Sequence, residues 1–273
     1  MRSVVRLGVL AVFTLGSFGV YAADSRKPDP SPTQIDDIIQ KFAAKEAAFA
    51  KARESYTYRQ SAKIVLLDDA GNPTNEHWEE VSDIMFTSDG KRNEHVVRSP
   101  VATLERITLD PGDIEDMRHT QPFVLTTDEL PNYWVRYLGR QQVDEIGTYV
   151  FAVKPKRIDP GKRYFSGEVW VDDQDLQIVK SYGRGVGQQK HNEDHQYPKF
   201  ETYREQIDGK YWFPTYTMAN DTLHFKDMDV RIKQTIKYDD YKQFKSTTTI
   251  TFGDEADTKK DEKQPPPPVK KQP

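Results

Sequence analysis

His191 and His195 stand four residues apart with Glu193 and Asp194 between them, and this is the one His/acid cluster in the chain. On a helix the two rings would share a face and could hold zinc, which would point to a metal-dependent hydrolase. The residue after His191 is Asn192 where such motifs carry Glu, and no third ligand lies nearby in sequence. Residues 184–198 hold Gly, Gln, His and acids with little apolar content, so a solvated loop is the competing reading and the one expected. Gly183, Gly185 and Gly187 lack the spacing of a dinucleotide-binding loop and read as a flexible strand end. Asp172, Asp173 and Asp175 could suggest calcium, but the run is short and lacks a downstream bidentate Glu, so it reads as a hairpin turn. There is no Gly-x-Ser-x-Gly elbow and no phosphate loop, and a chain with no Cys has no thiol nucleophile. No catalytic residue, cofactor or metal is expected.

What remains is recognition by apolar surface. Tyr58, Ile64, Leu66, Trp78 and Phe86 in the first half, with Trp134, Phe151, Trp170 and Trp212 in the second, could line a ligand cavity. Ordinary core packing is the other reading of the same residues. Which holds depends on the elements that carry them.

Those elements are strands. In 148–182, Tyr149, Phe151 and Val153 are apolar at every second position; Phe165, Gly167, Val169 and Val171 share one face while Tyr164 and Trp170 take the other. A period of two means strands with one face on a core. The same pattern recurs from Tyr56 to Leu66, from His77 to Phe86, from Arg92 to Arg98, from Leu104 to Leu109, from Tyr133 to Val143 and from Lys199 to Ile207. Asp208-Gly209 marks a hairpin leading to Tyr211-Trp212-Phe213, where Pro214 implies an edge or a bulge. Val230, Ile232, Ile236 and Tyr238 then alternate with charges, and Phe244, Ile250 and Phe252 follow Asp239-Asp240. Two helices accompany the strands. Thr33 with Asp36 predicts the cap of a long one, whose stripe is Ile35, Ile38, Ile39, Phe42 and Phe49 and which ends near Arg53 or Glu54. Asp110-Pro111 predicts a short one running to about Met117.

Both termini lie outside this pattern. Arg2 and Arg6, an apolar run from Leu7 to Val20, and Val20 and Ala22 at the −3 and −1 positions predict a secretory signal peptide over residues 1–22, cut between Ala22 and Ala23. The apolar run is shorter than the roughly 20 residues of a spanning helix, so an uncleaved anchor is the weaker reading. Residues 23–33 form a Pro-bearing lead-in, 34–253 the folded domain, and 254–273 a charged and Pro-rich tail read as a spacer. The formal charge of −4 is mildly acidic, which argues against nucleic acid and offers no overall pull toward anionic lipid. An exported chain without Cys fits a bacterial envelope compartment better than a disulfide-stapled secreted domain.

The runs Tyr149-Val-Phe-Ala-Val-Lys-Pro155, Tyr164-Phe-Ser-Gly-Glu-Val-Trp-Val-Asp172 and Leu176-Gln-Ile-Val-Lys180 resemble the later strands of the periplasmic lipoprotein-carrier (LolA-like) superfamily. The resemblance extends over roughly Ile35 to Phe252. It implies a mainly β fold: an unclosed, strongly curled antiparallel half-barrel of about eleven strands, with the long N-terminal helix and the short internal helix on its concave side. It also implies a periplasmic binding or carrier protein that holds a lipid, an acyl chain or a lipoprotein in an apolar half-barrel cavity, acting as a monomer and without catalysis. A non-catalytic envelope sensor, with another envelope protein as its partner, is the alternative on the same fold. The carriers hold their lid with an early-strand Arg beside Pro; Arg59 and Arg92 lack that context, so the resemblance assigns no lid residue here.

Overall fold

The computed structural model describes residues 28–87, 89–187 and 197–244. The expected leader and its expected cleavage position Ala22/Ala23, His191, His195 and residues 254–273 lie outside the described residues, as do Ile250 and Phe252.

The first element is α1 (Pro32–Arg53). Ser31, and not Thr33, is its cap: the Ser31 hydroxyl accepts from the Gln34 amide, and the Gln34 side chain accepts from the Ser31 amide. Pro32 has no N–H to leave unsatisfied and suits the first helical position, which places Thr33 inside the first turn. Ten strands follow among the described residues: β1 (Tyr56–Leu67), β2 (Pro73–Phe86), β3 (Arg92–Arg98), β4 (Tyr133–Val143), β5 (Ile146–Pro155), β6 (Arg163–Asp172), β7 (Ile178–Gly187), β8 (Phe200–Gln206), β9 (Trp212–His224) and β10 (Asp229–Gln243). Between β3 and β4 come α2 (Pro111–Glu115), capped by Asp110 as its sequence predicts, and a π-helical turn at 116–120.

All ten strands form one antiparallel sheet in the order β3-β2-β1-β10-β9-β8-β7-β6-β5-β4. The chain lays down β1 to β3 toward one edge, crosses to the far edge through residues 99–132, and returns strand by strand until β10 pairs with β1. Edges β3 and β4 do not meet, so the half-barrel is unclosed. Two expectations on strands change. Residues 104–109 are not a strand; they run as an irregular segment tied to β2 through Glu76. β10 passes straight through Asp239-Asp240, with Asp240 at φ +57° in the left-handed region.

Strand alternation sorts side chains between two faces. The concave face gathers Phe151, Val153, Phe165, Val169, Val171, Ile178 and Phe200 into one core cluster against Ile38 and Phe42 of α1. Phe42 and Phe151 meet at a tilt with ring centroids 5.3 Å apart, and Phe49 meets Phe213 edge-on at 5.2 Å. Truncating any such buried Phe costs about 3–5 kcal/mol. Pro214 lies beside a register shift opposite Tyr203 and Arg204, so it marks a bulge in an interior strand. The glycines of β7 are not a loose strand end. Gly183 faces Gly167 across β6, and a Cβ on either would come within 2.4 Å of backbone oxygen, while the Phe165 ring covers the gap.

Candidate functional site

The cavity lies at one end of the concave face, between the sheet and the crossing segment 104–121. Its volume is about 350 Å³, at the lower end of the range for small-molecule sites. The floor is apolar: Ile64 from β1, Leu223 from β9 and Ile232 from β10, with Ile107, Leu109 and Met117 as the roof. Alternation delivers the floor residues from three neighbouring strands. The roof exists because α2 and the π-helical turn pull the crossing segment down onto the sheet.

Polar groups close the cavity on its sides and are paired with each other. The Gln234 amide donates to the Gln121 side-chain oxygen at 2.9 Å, and both residues are buried. Thr202 donates to the Gln121 carbonyl and shares a 2.8 Å hydrogen bond with Thr217, which lies 3.2 Å from the Tyr238 hydroxyl. Asp116 accepts from the Thr120 hydroxyl at 2.8 Å and from both Nε and Nη2 of Arg163. The Arg163 guanidinium sits 3.6 Å from the Tyr197 ring centroid. Burial pulls the Arg163 pKa down, but Asp116 outweighs it and the net direction is up; burial pushes Tyr197 up despite the neighbouring Arg163. At the rim, burial acts to raise the Glu76 carboxyl, yet the amides of Arg106 and Glu105 and the Arg106 guanidinium hold it below the usual value. Buried polar groups paired in this way favour a fixed wall over a reactive one. Among the described residues, no group of three His, Cys, Asp or Glu could hold a metal ion.

The nine residues expected at a cavity divide between the two faces. Ile64 lines it; Leu66 lies in the same cluster, and Trp78 packs against that cluster. Tyr58 stacks on Tyr241 at 5.1 Å, Phe86 lies under the Arg53 guanidinium, and Phe151 belongs to the core beneath α1. Trp134, Trp170 and Trp212 do not face the cavity at all, because each is one residue out of phase with its strand's concave set. Trp170 and Trp212 belong to a small convex-face cluster with Val150 and Val179, and their ring nitrogens donate to Gln141 and Asp175. Trp134 is 59% exposed. The roof residues Ile107, Leu109 and Met117 carry no sequence signal for a cavity, since 104–109 alternates like a strand.

Outside the cavity, the least expected group is Glu46, on the buried stripe of α1 between Phe42 and Phe49. It has no exposed surface; its carboxylate accepts from Arg204 Nη1 at 3.0 Å and from the Ile178 amide at 3.0 Å. Arg204 also donates to the Phe123 carbonyl. One guanidinium therefore ties α1, β8 and the crossing segment together.

No helix of the described residues is long and apolar enough to cross a membrane. No family model matches the chain and no curated protein is similar to it. Solved structures are similar at low identity. A DUF1329 family protein from Desulfovibrio piger is 14% identical over 79% of this chain and 94% of that one, with a TM-score of 0.39. A LolA superfamily protein from Nitrosomonas europaea is 11% identical over 73% and 94%, with a TM-score of 0.31. An outer membrane lipoprotein-sorting protein domain from Vibrio parahaemolyticus is 11% identical over 76% and 93%, with a TM-score of 0.34. Each of these TM-scores lies below 0.5, and the likeness carries nothing about ligand or partner.

Proposed function

We propose that this chain is an exported envelope protein that binds and carries an apolar ligand, a lipid or the acyl chain of a lipoprotein, without chemistry of its own. The observation that carries the reading is the cavity between Ile64, Leu223 and Ile232 and the roof of Ile107, Leu109 and Met117. An apolar floor and roof, beside buried Gln121, Gln234 and Asp116 that already have hydrogen-bond partners, suit a hydrocarbon chain better than a polar substrate; the exposed Lys226 and Asp227 lie at the border. The Arg106–Glu76 ion pair and the exposed Lys226 and Asp227 give the cavity a border with charges of both signs.

The test is uptake of a fluorescent fatty acid, read beside native mass spectrometry and lipid extraction of the protein purified from the envelope fraction. Leu109→Trp fills the cavity from its half-buried roof and should lower uptake about tenfold or more, the scale of 1.4 kcal/mol of lost binding, with little effect on unfolding. A protein that takes up no fatty acid and carries no extractable lipid sinks the reading, and so does a Leu109→Trp variant that binds as well as the parent.

A further inference from the structure

The convex face carries a patch that the cavity does not use. Trp134 pairs across the sheet with Lys154, and Ser166 with Arg184, so one row on this face runs from an exposed indole to two cations. Arg136 on β4 and Lys199 just before β8 flank the row. Together they border a shallow recess that holds a single carboxylate, Glu168. Arg136, Lys154, Arg184 and Lys199 are all exposed, and none has an ion-pair partner among the described residues. A fifth cation, Lys156, lies 5.1 Å from the centroid of the Trp134 ring.

Apolar surface is exposed among these charges. The β5–β6 loop carries Ile158 at 48% exposure beside Asp159, which is engaged by Arg157, Lys162 and the Tyr164 hydroxyl. Leu138 and Tyr182 are exposed on the same face of the sheet. Solubility accounts for the cations but not for exposed Trp134 beside Lys154, or for Ile158, which borders a neighbouring recess with Arg184 and Lys199. The chain as a whole is acidic, at −4, so the cations are concentrated here against the overall balance.

We infer that this face docks the protein on an anionic phospholipid surface, with Trp134 and Ile158 at headgroup level and Arg136, Lys154, Arg184 and Lys199 facing the phosphates. Indole rings favour the boundary between water and hydrocarbon, and each Lys or Arg near an anionic bilayer adds attraction that salt screens. An acidic polypeptide would pair with the cations but leave Ile158, at a loop tip beyond the recess, without a role. The patch lies on the opposite side of the sheet from the cavity and does not depend on what the cavity holds.

The experiment is cosedimentation of the purified protein with phosphatidylcholine vesicles, with and without phosphatidylglycerol. Binding is expected only with phosphatidylglycerol, and should vanish at about 1 M salt, where the Debye length is about 3 Å. Lys154→Gln/Arg184→Gln should weaken it about 25-fold, roughly fivefold for each cation, with an unchanged thermal midpoint because both side chains are exposed. Trp134→Ala should weaken it further, and Leu109→Trp should leave it unaltered, which separates a failure here from a failure of the cavity reading. No sedimentation with phosphatidylglycerol vesicles, or binding indifferent to these substitutions, overturns the inference. Soluble polyglutamate that competes the vesicles away at equal charge concentration overturns it in favour of an acidic polypeptide partner.

Discussion

Glu46 is a carboxylate with no exposed surface in a helix stripe otherwise made of Ile, Phe and Ala. A charge there is tolerable only because Arg204 and the Ile178 amide reach it, and the cost of leaving it unpaired is high. Arg204→Ala should therefore destabilise the protein by about 3–5 kcal/mol in urea unfolding, as should Glu46→Ala by stranding the guanidinium. Replacing both by apolar residues, Glu46→Leu/Arg204→Met, should recover most of that loss. If the double variant is as unstable as the singles, the pair does more than cancel its own desolvation. Tyr56 carries a second residue-scale prediction. Burial, and then its hydrogen bond to Asp208 at 2.5 Å, push its pKa up to about 12 from the usual 10. A raised pKa stabilises the fold fully below the unfolded value and loses that stability as pH rises through the folded one. Stability should thus fall between about pH 10 and 12, and Tyr56→Phe should flatten that part of the curve in thermal midpoints taken against pH.

At the scale of elements, the cavity depends on how closely the crossing segment approaches the sheet. Gly185 of β7 permits it: a Cβ there would stand 2.1 Å from an Asp116 oxygen and 2.5 Å from Arg163 Nη2. Gly185→Ala should push the π-helical turn off β7 and break the Arg163–Asp116 pair. Since that pair is nearly buried, a loss of about 2 kcal/mol or more is expected, together with weaker fatty-acid uptake because Met117 moves with the turn. An unchanged midpoint in chemical unfolding would mean that the turn yields freely. α1 behaves differently. Its stripe and end at Arg53 follow from local chemistry, and only its first turn differs from the Thr33 expectation, because Ser31-Pro32 with Gln34 makes a complete capping box two residues earlier.

For the whole molecule, one open sheet with β3 and β4 as unpaired edges gives two surfaces of different character. The concave surface is covered by α1 and residues 99–132 except at the cavity; the convex surface is open and bears the exposed cations around Trp134. The two proposals sit on opposite sides of this sheet, and their tests should separate: Leu109→Trp removes uptake and keeps vesicle binding, whereas Lys154→Gln/Arg184→Gln does the reverse. A formal charge of −4 argues against attraction to lipid only if charge is spread evenly, and folding spreads it unevenly.

Strand periodicity, turn residues and the Asp110-Pro111 cap were legible from residue order because they are local: a period of two sets which side chains share a face whatever lies opposite. Mainly β class, the long first helix, the short second one and the bulge at Pro214 all follow from such short-range rules. Membership of a face is also legible, and it is what removes Trp134, Trp170 and Trp212 from the cavity, yet which face is concave depends on the sheet's curl and on what covers it. The segment 104–109 alternates like a strand but pairs with neither edge of the sheet, and tertiary contact with Glu76 holds it as a roof. The partner of Glu46 lies 158 residues away, and the cations around Trp134 come from separate strands. Chain closure over such distances is set by the order in which strands pair, and that order exists only in the folded sheet.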